Sequence, residues 1–465
     1  MKNNIITLTD SYKCSHHRMY PIDTEVVYSY FESRIGARFN KTIFFGLQYL
    51  LKEYLEGVVV TKDKIIDAQI LCEKHFGSKD IFNFNMWKLI LEKYGGKLPV
   101  RIRAVAEGTP VATSNVLMTI ENTDPDCYAL TNHLETLLTH VWASSTVATL
   151  SYEVSKLIDF YLTETGCDKT LWRFMLHDFG FRGVSSVESA GVEGAGHLLN
   201  FMGTDTLKAM EVAHDYYGAS YDGLAYSVPA SEHSVMTSYG PEDEEEIVRE
   251  LLHTYPEGIL SIVADSYDVY NFTAKIIGTT FKDIIQKRKG KVVVRPDSGE
   301  PTSTTLALLG ILGDKFGFKN NSKGFKELPP YIGLLWGDGI DYYGIRDILH
   351  AMKDAGWASN NIVFGMGGGL LQKINRDTQR FAFKCSAQQR QGHWVDIYKK
   401  PLDVSKASKK GRLGLYTNER GELFTGPEGK TESHSGNMLQ PVFEDGVILK
   451  EYTFNECRKN TKNGW

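Results

Sequence analysis

The chain is 465 residues long, 42% hydrophobic and 23% charged, with a formal net charge of -5. That length exceeds one ordinary core, so two domains or a large barrel with an appended unit are expected, and the balanced composition excludes a disordered chain. The mildly acidic total excludes a binder that works by blanket neutralisation of nucleic-acid phosphates.

The first residues, "MKNNIITLTDSYK", lack the apolar core of a secretory signal, and no run of roughly 18 apolar residues is present to span a membrane. The six cysteines, Cys14, Cys72, Cys127, Cys167, Cys385 and Cys457, are scattered without a CxxC pair. Such usage fits reduced thiols in a cytoplasm. Within "FFGLQYLLKEYL", Phe44, Leu47, Leu51 and Leu55 recur at helical spacing, whereas "LPVRIRAVAEGTPV" alternates Val100, Ile102 and Ala104 as a half-buried strand does. A long helical stretch follows, from about Leu130 to Leu162.

The rhythm then changes. Short apolar runs recur at Arg173 to Leu176, Gly223 to Val228, Ile259 to Val263, Val292 to Val294, Tyr331 to Leu335, Ile362 to Phe364 and Phe381 to Phe383. Between most of them lie segments with helical spacing, such as "EEEIVRELLHTY" and "YYGIRDILHAMKDAG". Strands apolar throughout and alternating with helices indicate a parallel sheet covered on both faces, and about seven such units suit a barrel. The acidic run "PEDEEE" is explained by Pro241 at a helix start and carboxylates against the helix dipole. From about residue 395 the pattern returns to β-like segments. The expected organisation is an irregular parallel α/β barrel over 141–394 and an α+β domain assembled from 1–140 and 395–465.

The exits of the apolar runs carry the unusual residues: "HDFGFRG", "YSVPASEH", "VADSYD", "RPDSGEP", "WGDGID" and "GMGGG". In an α/β barrel the active site gathers at the carboxyl ends of the strands, so these exits point to one mouth. Gly367, Gly368 and Gly369 let backbone N–H groups approach an anion, and a following helix carrying Lys373 and Arg376 would add its positive end. A tight turn with glycines for packing is the plainer alternative. In "VVVRPDSGEP", Pro296 holds Arg295 extended; the guanidinium can grip phosphate, and Asp297 can accept from sugar hydroxyls or help hold hydrated Mg²⁺. An ion pair at the rim would use the same two residues. Asp265, Asp297 and Asp338 are carboxylates that a glycoside hydrolase would also place at a mouth. Phe179 and Phe181 offer either core packing or a stacking platform, and His233 either a structural role or, if Asp265 orients its ring, a nucleophile or acid/base. The basic run "KASKKGR" is a solvated loop or a polyphosphate contact.

Taken in order, "TDSYKCSHHRMYP", "HDFGFRGVSS", "GTDT", "YSVPASEHS", "DSYDVYN", "RPDSGEP", "GDGID", "GMGGGLLQKINRD" and "SKKGRL" resemble the motifs of the nicotinamide phosphoribosyltransferase family, from about residue 8 to 412. The resemblance implies a type II phosphoribosyltransferase fold, an irregular α/β barrel with an α+β domain. The implied activity is transfer of 5-phosphoribosyl from phosphoribosyl pyrophosphate to nicotinamide, with Mg²⁺ and with ATP as co-substrate. It implies that Phe179 and the partner subunit's Tyr12 sandwich the pyridine, that Asp205 receives the carboxamide, and that Arg182 and Ser261 fix the ring and its neighbours. Arg295, Gly367, Gly368 and Arg376 would hold the 5-phosphate, Asp297, Gly337 and Asp338 would line the ribose, and Lys399 and Lys406 would contact further phosphates. The histidine matching His233 is phosphorylated by ATP in the family, supported by the residue matching Asp265, and a homodimer with shared sites follows. Phe181 stands where tyrosine is common and Met366 where a small residue is usual. Nicotinate phosphoribosyl transfer, or a non-catalytic nucleotide-binding protein on the same fold, are the alternatives.

Overall fold

A computed structural model describes residues 4–399, 408–429 and 436–461. The chain divides into two compact units, Met1–Thr149 with Val212–Ala219 and Ile374–Trp465, and Leu150–Glu211 with Ser220–Lys373. The expected barrel segment, 141–394, therefore differs at both ends.

The first unit is built on a seven-stranded antiparallel sheet in the order His393–Asp396, Phe381–Arg390, Thr24–Ser33, Val116–Asn122, Val100–Ala104, Gln440–Glu444, Val447–Ile448. Phe381 to Phe383, expected in the barrel, lies here: Phe31 stacks on Phe381 with ring centroids 5.1 Å apart and pairs in register with Phe383. Helices Lys62–Phe76 and Phe84–Tyr94 start where Thr61 and Asn83 side chains accept from the backbone N–H groups of Lys64 and Met86, and they end at left-handed Gly77 and Gly95. The helical reading of 44 to 55 holds, as a turn of α-helix Leu47–Leu50 continuing into a wider π-turn Leu51–Leu55. The stretch from Leu130 to Leu162 is two helices, Leu130–Thr139 and Val141–Glu164, separated at His140.

The second unit is a parallel sheet of six strands in the order Gly203–Thr204, Leu176–Asp178, Ile362–Met366, Ile332–Trp336, Lys289–Arg295, Glu257–Val263. Helices Val187–His197, Glu244–Thr254, Pro301–Phe316 and Tyr342–Asp354 come between its strands along the chain. Every residue from Ile332 to Trp336 is buried, which accounts for a strand apolar on both faces. The two edges of the sheet meet through residues 226–230. Tyr226 forms a parallel bridge with Gly203 and Ala230 with Ser261, tied by Thr204 N–H to Tyr226 O at 3.1 Å and Ser261 N–H to Pro229 O at 3.0 Å. The expected seventh strand from Gly223 is thus an irregular stave held by isolated bridges, because Pro229 removes a donor. The run from Arg173 is displaced as well: Lys169–Phe174 is a 3₁₀ helix and the strand begins at Leu176.

At the amino ends of two strands, the Arg288 guanidinium donates to the carbonyls of Tyr255 at 2.7 Å and Glu257 at 2.9 Å, and also to Gly258 O. It satisfies carbonyls that lead into one strand from a residue that leads into its neighbour. Arg288→Ala should lower unfolding stability by about 2 kcal/mol, read from urea denaturation; a change indistinguishable from zero would deny the clasp this role.

Candidate active site

The strand ends converge as barrel geometry requires. Asp178 closes the strand Leu176–Asp178, and its Oδ1 accepts from Gly180 N–H at 2.7 Å, while Phe179 N–H donates to Met366 O at 3.1 Å. These two bonds turn the chain so that the Phe179 ring lies over Gly365: a methyl group on Gly365 would come within 1.9 Å of a Phe179 ring carbon. A methyl on Gly337 would lie 3.4 Å from the same ring and 3.5 Å from an Asp297 oxygen, so ring and carboxylate flank one bare stretch of backbone. Met366 is fully buried and keeps clear of the mouth. Phe181, by contrast, is exposed on the turn Phe181–Gly183 together with Arg182.

A cavity of about 1110 Å³ opens beside this ring, lined by Phe179, Asp205, Ser227, Ser261 and Arg295 and continuing past His177 to Lys291. Asp205 is fixed by its own N–H on Asp178 O at 3.0 Å and by the Ser227 hydroxyl, which donates to its Oδ1 at 2.5 Å. Its second oxygen is the one left for a ligand. The Ser261 hydroxyl and Arg295 Nε are buried without hydrogen-bond partners among the described residues. Arg295 spends Nη2 on Ser231 O at 3.1 Å and holds Nε 4.0 Å from Asp297 Oδ1. A buried guanidinium nitrogen without a partner costs energy that an anionic ligand recovers.

His233 opens the short helix His233–Met236 and is half exposed. Its Nε2 lies 3.8 Å from Asp265 Oδ1 and 3.7 Å from Asp297 Oδ2, and its Nδ1 lies 3.2 Å from Ser266 Oγ. Asp265 is held by the Ser298 hydroxyl on one oxygen, and its other oxygen is buried without a hydrogen bond among the described residues. Burial raises the Asp297 carboxyl above the ordinary carboxylate value; Asp265 and Asp338 push it the same way, while Arg295 and His233 oppose them. The arrangement is a histidine between two carboxylates beside a cation, suited to accepting and releasing a phosphoryl group. Among the described residues no group of three His, Cys, Asp or Glu side chains is arranged to hold a metal ion.

The glycine turn differs from expectation. The helix after Gly367 spans only Gly368–Leu371, so Arg376 does not lie on it. The glycines are partly for packing: a methyl on Gly369 would come within 2.3 Å of Ile340 O. Arg376 and Tyr12 belong to the first unit. Tyr12 is exposed on the 3₁₀ helix Ser11–Arg18, its ring edge-on to His16 at 5.1 Å. Lys399 is exposed, with its N–H on Ser408 Oγ at 2.9 Å; Lys406 lies outside the described residues. The first unit also holds two cations that spacing did not reveal. Burial lowers the Lys384 ammonium, as do the positive charges of Arg34, Lys399 and Arg376, against the opposing pull of Glu135. Arg34 Nε and Nη2 are buried without hydrogen-bond partners among the described residues. The charge of Arg34 reaches Lys384 because Thr24–Ser33 pairs with Phe381–Arg390, a long-range pairing with no local signal, and Arg34 Nε lies 3.5 Å from Glu32 Oε1.

Fold and mouth together define a type II phosphoribosyltransferase. Residues 174–447 match the nicotinate phosphoribosyltransferase (NAPRTase) family, and residues 4–102 match the nicotinamide phosphoribosyltransferase N-terminal domain. The chain is 43% identical to a nicotinamide phosphoribosyltransferase of Xanthomonas campestris over 98% of its length and 97% of that protein. It is 32% identical to one of Acinetobacter baylyi, over 98% of this chain and 96% of the other. Among solved structures it resembles nicotinate-nucleotide pyrophosphorylase from Pyrococcus furiosus, with a TM-score of 0.62 at 15% identity over 99% of this chain and 96% of that one. Human nicotinic acid phosphoribosyltransferase gives 0.58 at 13% identity over 98% and 93%; at such identities the likeness is one of fold. The chain belongs to the nicotinate phosphoribosyltransferase family and, within it, to the nicotinamide phosphoribosyltransferases. Among the described residues no helix is long and apolar enough to cross a membrane.

Behind the ring, Asp178 and Glu193 are both buried, each with one oxygen unpartnered among the described residues. Burial pushes Asp178 up to about 6 and Glu193 up to about 7, and the Asp178 charge adds to the second shift. An acid whose folded value is raised binds its proton more tightly when folded, so the stability it contributes is present below its unfolded value and is lost as pH rises through the folded one. Glu193→Gln should therefore raise stability at pH 8 by up to about 3 kcal/mol, and by little at pH 4.5. Thermal unfolding at the two pH values checks this, and an equal gain at both would contradict it.

Proposed function

We propose that this chain transfers the 5-phosphoribosyl group of phosphoribosyl pyrophosphate to the ring nitrogen of nicotinamide, releasing pyrophosphate and forming nicotinamide mononucleotide, a salvage step toward NAD. The observation that carries this reading is the shared cavity wall of Phe179, Asp205, Ser261 and Arg295. It joins a flat ring, an amide acceptor and a phosphate-seeking cation. The names of full-length relatives support it.

In this reading the pyridine stacks on Phe179, a contact worth roughly 1–3 kcal/mol, and Tyr12 of a second subunit covers its other face. The free Asp205 oxygen accepts from the carboxamide; nicotinate would bring a second negative charge there and is disfavoured. Arg182 and Ser261 fix the ring and adjoining groups. Arg295, the backbone of Gly367 and Gly368, and Arg376 take the 5-phosphate, while Asp297, Gly337 and Asp338 line the ribose. Lys399 and Lys406 suit the diphosphate. The bond from C1 to the diphosphate oxygen breaks with its electron pair leaving on pyrophosphate, which arrives and departs with Mg²⁺ neutralising it. The oxocarbenium carbon is then captured by the nicotinamide nitrogen, held in line by stacking. No protein nucleophile takes part. The enzyme works as a homodimer with shared sites, in the cytoplasm.

His233 is the phosphoryl acceptor for ATP. An imidazole nitrogen attacks the γ-phosphorus, ADP leaves, and water later releases phosphate, coupling the transfer to ATP hydrolysis. Support comes from the two carboxylates beside Nε2, which stabilise an imidazolium.

Purified protein given phosphoribosyl pyrophosphate and Mg²⁺ should form the mononucleotide from nicotinamide in strong preference to nicotinate; equal use of both would favour the acid-using alternative. Phe179→Ala should raise the KM for nicotinamide roughly tenfold to a hundredfold, and an unchanged KM would remove the stacking role. ATP should stimulate turnover in the native chain, whereas His233→Ala should retain basal transfer and lose the stimulation; stimulation that persists would exclude His233 as the acceptor.

A further inference from the structure

Two thiols of the first unit are in contact. Cys14 Sγ lies 3.9 Å from Cys72 Sγ, the first on the 3₁₀ helix Ser11–Arg18 and the second on the helix Lys62–Phe76. They stand 58 positions apart in the chain. Cys72 is buried and Cys14 only partly so, which gives a small oxidant a way to the pair. The sulfurs share one hydrogen bond, and sharing it raises the Cys14 thiol and lowers the Cys72 thiol. Two thiols already in contact are the arrangement that oxidation to a disulfide requires. The other thiols are unlike it: burial pushes Cys127 up to about 12 and Cys385 up to about 11, and Cys457 is fully buried.

We infer that Cys72 is a peroxide-reactive thiol and Cys14 its resolving partner, and that their disulfide withdraws Tyr12 from the pyridine site. Cys72 sulfur attacks one oxygen of hydrogen peroxide, the O–O bond breaks, and the departing hydroxide takes a proton to become water, leaving a sulfenic acid. Cys14 sulfur then attacks that sulfur and loses its proton as the S–O bond breaks and a second water leaves. One peroxide is reduced to two waters while two thiols become one disulfide. Closing the bond brings the sulfurs from 3.9 Å to about 2.05 Å.

The movement bears on Tyr12, two residues before Cys14. Its short helix is tied to the rest of the unit by Tyr128 O–H to His17 O at 2.6 Å, by the Lys13–Glu135 pair at 3.6 Å and by Ser11 Oγ against His75 Nε2 at 3.0 Å. His75 sits three residues beyond Cys72, so the bond pulls on a segment already anchored at both ends. The consequence for catalysis rests on the reading of Tyr12 as the second face of the pyridine sandwich.

The test treats the full-length enzyme with hydrogen peroxide, followed by peptide mass spectrometry and kinetics. A Cys14–Cys72 crosslink with a loss of two hydrogens is expected, with nicotinamide KM rising by about an order of magnitude and both effects reversed by dithiothreitol. Cys72→Ser should abolish the crosslink and the KM change, and Cys14→Ser should leave a sulfenic acid that a dimedone probe captures. Unreacted Cys14 and Cys72 at peroxide concentrations that oxidise exposed methionines would overturn the inference. A crosslink with unchanged KM would overturn the coupling to Tyr12 while leaving the rest of the proposed function untouched.

Discussion

The site depends on a contact that one glycine permits. The Phe179 ring rests against Gly365, where any side chain would occupy the same volume, and faces Gly337 across an ordinary contact distance. The ring is therefore set at the height of the sheet, and the cavity begins at its edge rather than being filled by it. Asp178 supplies the other half of the constraint, since its side chain fixes the turn after Phe179 and its carbonyl fixes Asp205. Phe179 and Asp205 are thus both positioned by one residue of one strand.

Around that platform the charges are unbalanced in a useful way. Asp265, Asp297 and Asp338 crowd a region in which Arg295 and the His233 ring are the opposing groups. Burial and the neighbouring carboxylates together raise the Asp297 carboxyl above its ordinary value. Arg295 keeps a buried nitrogen unspent, 4.0 Å from Asp297 Oδ1, so a free donor and a set of acceptors stand side by side at the mouth.

The alternation of fully apolar strands with amphipathic helices made the barrel legible before any coordinates, and Ile332–Trp336 and Ile362–Met366 fall where the pattern put them. Legibility failed where tertiary pairing overrides local character. Phe381 to Phe383 is as apolar as a barrel strand but pairs with Thr24–Ser33. Nothing local distinguishes those destinations. The helix expected to carry Arg376 stops at Leu371, since amphipathic spacing alone does not sustain a helix. Of the site, the residues on strand exits were readable because glycine, proline and charge interrupt apolar runs there. In the first unit, the surroundings of Arg34 and Lys384 were not, because a cation on or just beyond a strand looks like any surface charge until its cross-strand neighbour is known.

The stave at 226–230 joins the sheet through parallel bridges at Tyr226 and Ala230, backed by Tyr226 N–H on Met202 O at 2.7 Å on one side and Ser261 N–H on Pro229 O at 3.0 Å on the other. Glu257–Val263 and Lys289–Arg295, by comparison, pair residue for residue along their length. That closing stave carries Ser227, which holds Asp205, and leads directly to His233, so the seam that shuts the barrel also sets two side chains of the mouth, and a change made at the seam reaches both at once.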